Sequence, residues 1–294
     1  MKTLASKIKR IGVIGNSEKV SAAGAVSRAA RLIAAAGRRL YSDPATADLA
    51  NLKAAICPDA ATLAKEVDLL LVFGGDGTML RVAREIAGSR TPILGINIGS
   101  LGFLTAVQSA HLAGALTRVW KGEFEFESRV LLEATGRCNG RMIRQRALND
   151  LVISRGLAPR LIELDVRVNG EPLTRYRCDG LIVSSPTGST AYSLAAGGAV
   201  VFPTAEVMAL TPICPHTLSN RSLILPLTAR LDIKVMSPRP ATNFSADGQL
   251  VTELCSGDII TIRRSRQAVR LMHLAGSSFC ETLRLKLHWR GTTL

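Results

Sequence analysis

Two stretches of this sequence carry residues whose types and spacing suit chemistry. The first is Gly74-Gly75-Asp76-Gly77-Thr78, which follows the apolar run Leu69-Leu-Leu-Val-Phe73 and opens a helical pattern ending near Gly88. Glycines let a backbone approach a phosphate, and a helix N-terminus favours an anion. A carboxylate in such a loop is a poor phosphate contact, because like charges repel. Asp76 suits holding a metal ion or taking a proton from a hydroxyl. The alternative is a tight turn in which Asp76 caps the helix. The loop is not a Walker A sequence, since no Gly-Lys pair is followed by Ser or Thr, and it lacks the third glycine of the Rossmann fingerprint.

The second stretch is Asp179-Gly-Leu-Ile-Val-Ser-Ser-Pro-Thr-Gly-Ser-Thr-Ala-Tyr-Ser193. Small and hydroxyl-bearing residues at this density suit a surface where ribose or phosphate oxygens meet backbone N–H groups. The alternative is a Ser/Thr-rich loop between strands. The continuation into Leu194-Ala-Ala-Gly-Gly198 reads as the first turns of a buried helix.

The elements that must position these stretches follow from hydrophobic periodicity. Ile11–Gly15 reads as a buried strand, with Asn16-Ser17 as turn or cap. Residues 20–36 place Val26, Ala29, Ala30, Ile33 and Ala36 on one helical face, and Gly37 is a helix stop. Leu69–Phe73 and Pro92–Ile96 read as further buried strands, and residues 109–121 as a helix. Such alternation predicts a Rossmann-like parallel sheet covered by helices. From Phe124 the pattern turns to short β-rich runs: Phe124-Glu-Phe-Glu, Leu164–Val168, Arg230–Val235 and Asp258–Ile262. Asn169-Gly170 is a strong hairpin signal. Residues 279–289 read as strand or helix packing back on either half.

Composition sets the frame. A chain of 294 residues fits two domains at about 150 residues each. A hydrophobic fraction of 47% excludes disorder for its bulk. The net charge of +14 fits either a polyanionic partner, nucleic acid among them, or arginine used simply as a solvated surface residue, and composition alone does not choose. A nucleic-acid binder would want a concentrated basic stripe with aromatics; here the basic residues are scattered and aromatics are 4%. The six cysteines form no CxxC pair, which argues against structural zinc, and their even spread through apolar segments argues for reduced, mostly inert thiols. His111, His216, His273 and His288 read as structural. No signal peptide or membrane span is expected, so the expected location is cytoplasmic.

Taken in order, the segments resemble the NAD kinase family. Gly74–Leu80 looks like its signature loop, which lipid kinases and phosphofructokinases share, and Gly95-Ile-Asn-Ile-Gly-Ser-Leu-Gly-Phe-Leu104 resembles its second glycine segment. Asn149-Asp150 sits where the family carries Asn-Glu or Asn-Asp, and Asp179–Gly198 matches its long glycine- and hydroxyl-rich motif. Residues 211–218 and Ser245-Ala-Asp-Gly-Gln249 fit later family segments. Ala199 and Ser222 stand where the family often has Pro, and residues 38–66 resemble nothing in it.

The resemblance implies phosphoryl transfer from ATP, with Mg²⁺ or another divalent cation, to the adenosine ribose 2′-hydroxyl of NAD, giving NADP. It implies an α/β domain over 1–123, with 277–294 packing back on it, and a sandwich-like, mainly β, NAD-binding domain over 124–276. Asp76 would orient or deprotonate the hydroxyl. Gly74, Gly75, Gly77 and Thr78 would form the phosphate loop. NAD would meet Asp76, Gly77, Asn149, Asp150, Arg160, Arg177, Asp179, Thr190, Ala191, Tyr192, Ser193, Leu194, Ala195 and Gln249. A homodimer or homotetramer is implied, with no nucleic acid or membrane partner. Two other readings stand beside it: a lipid kinase, which shares the glycine loop but would lack the Asp179–Gly198 segment, and a sensor that binds NAD or NADP without turnover, against which the retained Asp76 argues.

Overall fold

The structure is a computed structural model that describes residues 5–16, 19–100, 102–105, 107–138, 140–156, 160–216, 221–237 and 242–289. In chain order the strands are β1 (Arg10–Gly15), β2 (Arg39–Ser42), β3 (Ala55–Ile56), β4 (Leu69–Gly74), β5 (Ile93–Asn97), β6 (Val107–Gln108), β7 (Phe124–Cys138), β8 (Arg141–Ala147) and β9 (Asp150–Arg155). There follow β10 (Ile162–Val168), β11 (Glu171–Cys178), β12 (Gly180–Ser184), β13 (Val207–Ile213), β14 (Leu223–Pro226), β15 (Leu231–Val235), β16 (Thr242–Ala246), β17 (Gln249–Leu254) and β18 (Ile259–Leu274). The helices are α1 (Val20–Ala35), α2 (Pro44–Ala50), α3 (Ala60–Glu66), α4 (Asp76–Glu85), α5 (Leu112–Lys121), α6 (Tyr192–Ala195) and α7 (Phe279–Lys286). The chain divides into two compact units, residues 1–128 with 269–294, and residues 129–268.

The first unit is an α/β layer structure. Its parallel strands lie in the order β3-β2-β1-β4-β5, with β6 and the end of β18 also beside β5. Every residue of β4 is buried, as a strand covered by helices on both faces requires. In α1 the buried stripe is Ala22, Val26, Ala29 and Ile33. Ala36, expected on that stripe, is instead the exposed C-cap, one residue before Gly37, which takes φ +68 and ends the helix. Ser17 lies outside the described residues, and Lys19, the N-cap of α1, makes no side-chain capping hydrogen bond. Residues 38–66 supply β2, α2, β3 and α3, an addition to the three strands that periodicity reveals. Asp43 starts α2 and Asp59 starts α3, each accepting a backbone N–H three residues on, from Thr46 at 3.0 Å and Thr62 at 2.6 Å.

Strand order reverses between β1 and β4: β1 leads outward to β2 and β3, while β4 leads to β5 on the other side. Ligands of open α/β sheets sit at the carboxyl ends of strands at such a switch point. The Gly74–Thr78 loop leaves β4 there.

The second unit is mainly β. One antiparallel sheet runs β14-β13-β12-β9-β16-β17; the other strands pair as β11-β10-β15-β18 and β7-β8. Leu151, Ile153, Leu181, Val183, Leu210 and Phe244 of the first set share one apolar core with Leu164, Val166, Leu231, Ile233, Ile260 and Ile262 of the second. Asn169 and Gly170 take φ +53 and +89 and close the β10–β11 hairpin. Two expectations change. The runs beginning at Phe124 and Ile259 are long strands of 15 and 16 residues rather than short ones. The expected buried helix at Leu194–Gly198 is the single turn α6, which ends at Ala195 before Gly197 takes φ +83. The ambiguous tail is the helix α7. All six cysteines are free; Cys57, Cys138 and Cys178 are buried, and Cys214, Cys255 and Cys280 are exposed.

Candidate active site

In the first unit, Gly75 is the N-cap of α4 and Asp76 its first residue, so Asp76 does not cap the helix. Its carboxylate points instead to the second glycine segment. Oδ2 accepts the Phe103 N–H at 2.8 Å and Oδ1 the Leu104 N–H at 3.0 Å. This approach needs Gly102, because a Cβ there would collide with the Asp76 carboxylate. Nothing crowds the faces of Gly75 and Gly77 within 4 Å, which leaves their backbone open to a ligand. Thr78 turns back against Gly74 and is buried, so its hydroxyl supports the loop from behind.

Asn97, which the motifs did not single out as a site residue, braces the second segment. Its Nδ2 donates to the Ser100 carbonyl at 2.6 Å and to Thr105 Oγ1 at 2.9 Å, and its Oδ1 accepts the Gly99 N–H at 2.6 Å. The signal was a polar side chain ending an otherwise apolar strand; Asn97 is 2% exposed.

In the second unit, Asn149 and Asp150 stand at the head of β9. Asp150 is buried, and desolvation pushes its carboxyl up to about 7; the Asp247 charge adds to this, while the Tyr192 backbone N–H works against it. Asp247 lies in the turn between β16 and β17 and accepts backbone N–H groups from Leu148, Asn149 and Asp150. Gln249, the residue of this segment expected to meet NAD, is exposed at the start of β17.

The turn Thr187–Thr190 and α6 bring Thr190, Ala191, Tyr192, Ser193, Leu194 and Ala195 together. Tyr192 is 46% exposed and is therefore no core aromatic. Ser193 is fully buried, and its hydroxyl joins a chain through Thr211 at 3.0 Å to Ser222 at 2.7 Å. Its side chain thus serves the fold, and its carbonyl accepts the Gly198 N–H at 2.7 Å. Asp179 pairs with Arg155 at 2.8 Å. Arg177 is exposed, and its carbonyl accepts the His216 N–H at 2.8 Å. Arg160 is exposed and lies outside any helix or strand. His273 pairs with Glu127 at 3.1 Å. A hollow of about 850 Å³ in the first unit is lined by Lys7, Lys9, Arg10 and Asp68, and none of the expected site residues lines it.

A switch-point glycine loop carrying an acid, followed in the chain by a β domain with a hydroxyl-rich turn, defines a nucleotide-directed α/β–β protein. Comparison with known proteins narrows this. The profile of the ATP-NAD kinase N-terminal domain matches residues 11–124, and that of the ATP-NAD kinase C-terminal domain residues 148–274. The NAD kinase of Polaromonas naphthalenivorans is 38% identical over 285 residues, 97% of this chain and 98% of the relative. That of Symbiobacterium thermophilum is 45% identical over 223 residues, 76% of this chain and 79% of the relative. The crystal structure of yeast NADH kinase complexed with NADH superposes with a TM-score of 0.89 at 26% identity, covering 98% of this chain and 89% of that one. An Archaeoglobus fulgidus NAD kinase in complex with ATP shares the fold, with a TM-score of 0.74 at 24% identity, covering 96% of this chain and 100% of that one. The chain belongs to the NAD kinase family.

Proposed function

We propose that this chain phosphorylates the adenosine ribose 2′-hydroxyl of NAD with ATP, releasing NADP and ADP. The observation that carries this reading is Asp76, an acid at the switch point of the sheet whose carboxylate is anchored by two backbone amides beside open glycines. Phosphoryl transfer asks the protein mainly for position and charge neutralisation. The 2′-oxygen forms a bond to the γ-phosphorus as the bond to the β-phosphate oxygen breaks, and the hydroxyl proton passes to Asp76. A carboxylate has about four acceptor sites, so the two amide bonds leave capacity for that proton.

In this reading Gly74, Gly75, Gly77 and Thr78 form the phosphate loop, and residues 1–123 are the nucleotide-binding domain. Residues 124–276 bind NAD through Asn149, Asp150, Arg160, Arg177, Asp179, Gln249 and the Thr190–Ala195 turn. Among the described residues no three His, Cys, Asp or Glu side chains gather to hold a metal ion. A divalent cation fits best as a companion of the triphosphate, where it offsets phosphate charge. A homodimer or homotetramer in the cytoplasm is the expected setting.

The test is direct. Protein incubated with ATP, Mg²⁺ and NAD, coupled to an NADP-specific dehydrogenase, is expected to turn over. Asp76→Asn should lose at least about a hundredfold in rate if Asp76 is the base. No NADP from wild-type protein that binds NAD would sink the kinase reading. Near-wild-type activity in the variant would sink the role of Asp76 alone.

A further inference from the structure

The backbone that carries Asn149 and Asp150 is held from two sides. On one side stands Asp247. Its Oδ1 accepts the Asn149 N–H at 2.7 Å and the Asp150 N–H at 3.2 Å, and its Oδ2 accepts the Leu148 N–H at 3.1 Å. The Asp247 N–H in turn donates to the Asp150 carbonyl at 2.9 Å. The β9–β16 ladder ends at Leu151 opposite Ala246, so these three N–H groups lie just beyond the last strand pair. On the other side, the Ser185 N–H donates to the Asn149 carbonyl at 2.8 Å, and the Ser185 hydroxyl donates to the Leu148 carbonyl.

Three converging N–H donors need a group that only accepts. A carboxylate offers two oxygens and no donor; an amide offers one oxygen and turns an NH₂ toward the remaining N–H. Bonds to an ionised acceptor are also about twice as strong as neutral ones. Asp247 holds its place in the left-handed region, φ +47, which Asp and Asn tolerate better than other non-glycine residues. The arrangement has a cost, because the Asp247 charge opposes ionisation of the neighbouring Asp150.

We infer that Asp247 is a positioning residue for the dinucleotide: it locks the Leu148–Asp150 backbone so that the Asn149 side chain is presented to NAD in one orientation. This inference rests on the proposed function. Asn149 is half-buried, and its side-chain amide makes no hydrogen bond among the described residues. Its backbone is therefore fixed while its side chain stays available for a ligand.

The test compares Asp247→Asn and Asp247→Ser with Phe244→Leu, a core change in β16 that weakens the same sheet without touching the clamp. For the Asp247 variants KM for NAD should rise at least about tenfold, with kcat at saturating NAD within about threefold of wild type, the signature of lost binding rather than lost chemistry. Hydrogen exchange at the Leu148, Asn149 and Asp150 amides should accelerate. Phe244→Leu should lower thermal stability and leave KM for NAD near wild type. An unchanged KM in the Asp247 variants, unchanged exchange at the three amides, or an equal KM rise in Phe244→Leu would overturn the inference. Failure of wild-type protein to make NADP is a separate result that overturns the proposed function, and exchange at the three amides still reports on the clamp.

Discussion

Asp150 shows how one residue ties chemistry to stability. Burial holds its carboxyl up to about 7, against 3.8 for the free group. Between those values the folded chain keeps a proton that the unfolded chain has released. The folded state then binds more protons, so stability falls as pH rises from about 4 to about 7 and levels off above. Asp150→Asn, which keeps an acceptor for the Tyr192 N–H, should abolish that slope. Denaturant unfolding at pH 5 and pH 8 should find the variant more stable than wild type at pH 8, the difference shrinking at pH 5. Residue types in the glycine loop and the Asp179–Ser193 stretch were legible because chemistry restricts them so tightly. Asp247 and Asn97 were harder to read. Both act through backbone amides brought near by folding, and such partners leave no pattern in the sequence around them.

At the scale of elements, what could be read were strands buried on both faces and helices with one apolar stripe. β1, β4 and β5 announce themselves as continuous apolar runs because helices cover both sides. β2 and β3 do not, because they lie toward the edge of the sheet, where every residue but Ser42 is half-buried or exposed. Their helices left a fainter mark in Asp43-Pro44 and Asp59, which are helix starts rather than periodicity. The Thr187–Thr190 turn depends on close approach: a Cβ at Gly188 would run into the backbone of Asn149. Gly188→Ala should therefore destabilise the second unit by about 1–3 kcal/mol, the usual cost of overpacking, and raise KM for NAD as well. Urea melts and steady-state kinetics on one preparation would check both. A melt within error of wild type would show that the turn yields cheaply.

For the whole molecule, the change of texture near Phe124 follows from burial on both faces giving way to burial on one. The +14 balance gave the sign of a partner, while glycines, hydroxyls and a few acids gave its shape. Some arginines are tied up locally: Arg144, Arg146 and Arg263 converge on the buried Glu133. Burial pushes its carboxyl up, but the hydrogen bonds and charges of Arg144 and Arg263 outweigh this and hold it below its ordinary value. The second unit is one uninterrupted segment, while the first is made of two pieces far apart in sequence. Met272 of β18 belongs to the core of the first unit, and Leu271 pairs with Ile93 of β5. This fixes an order of birth on the ribosome. Residues 129–268 are fully synthesised before the last strand of the first unit exists, so the half that emerges first is the half that must wait to close. A chain released at residue 268 should give a second unit protected from protease and a first unit that is cleaved readily. Limited proteolysis of that truncated chain beside the full one would show whether completion runs against the direction of synthesis.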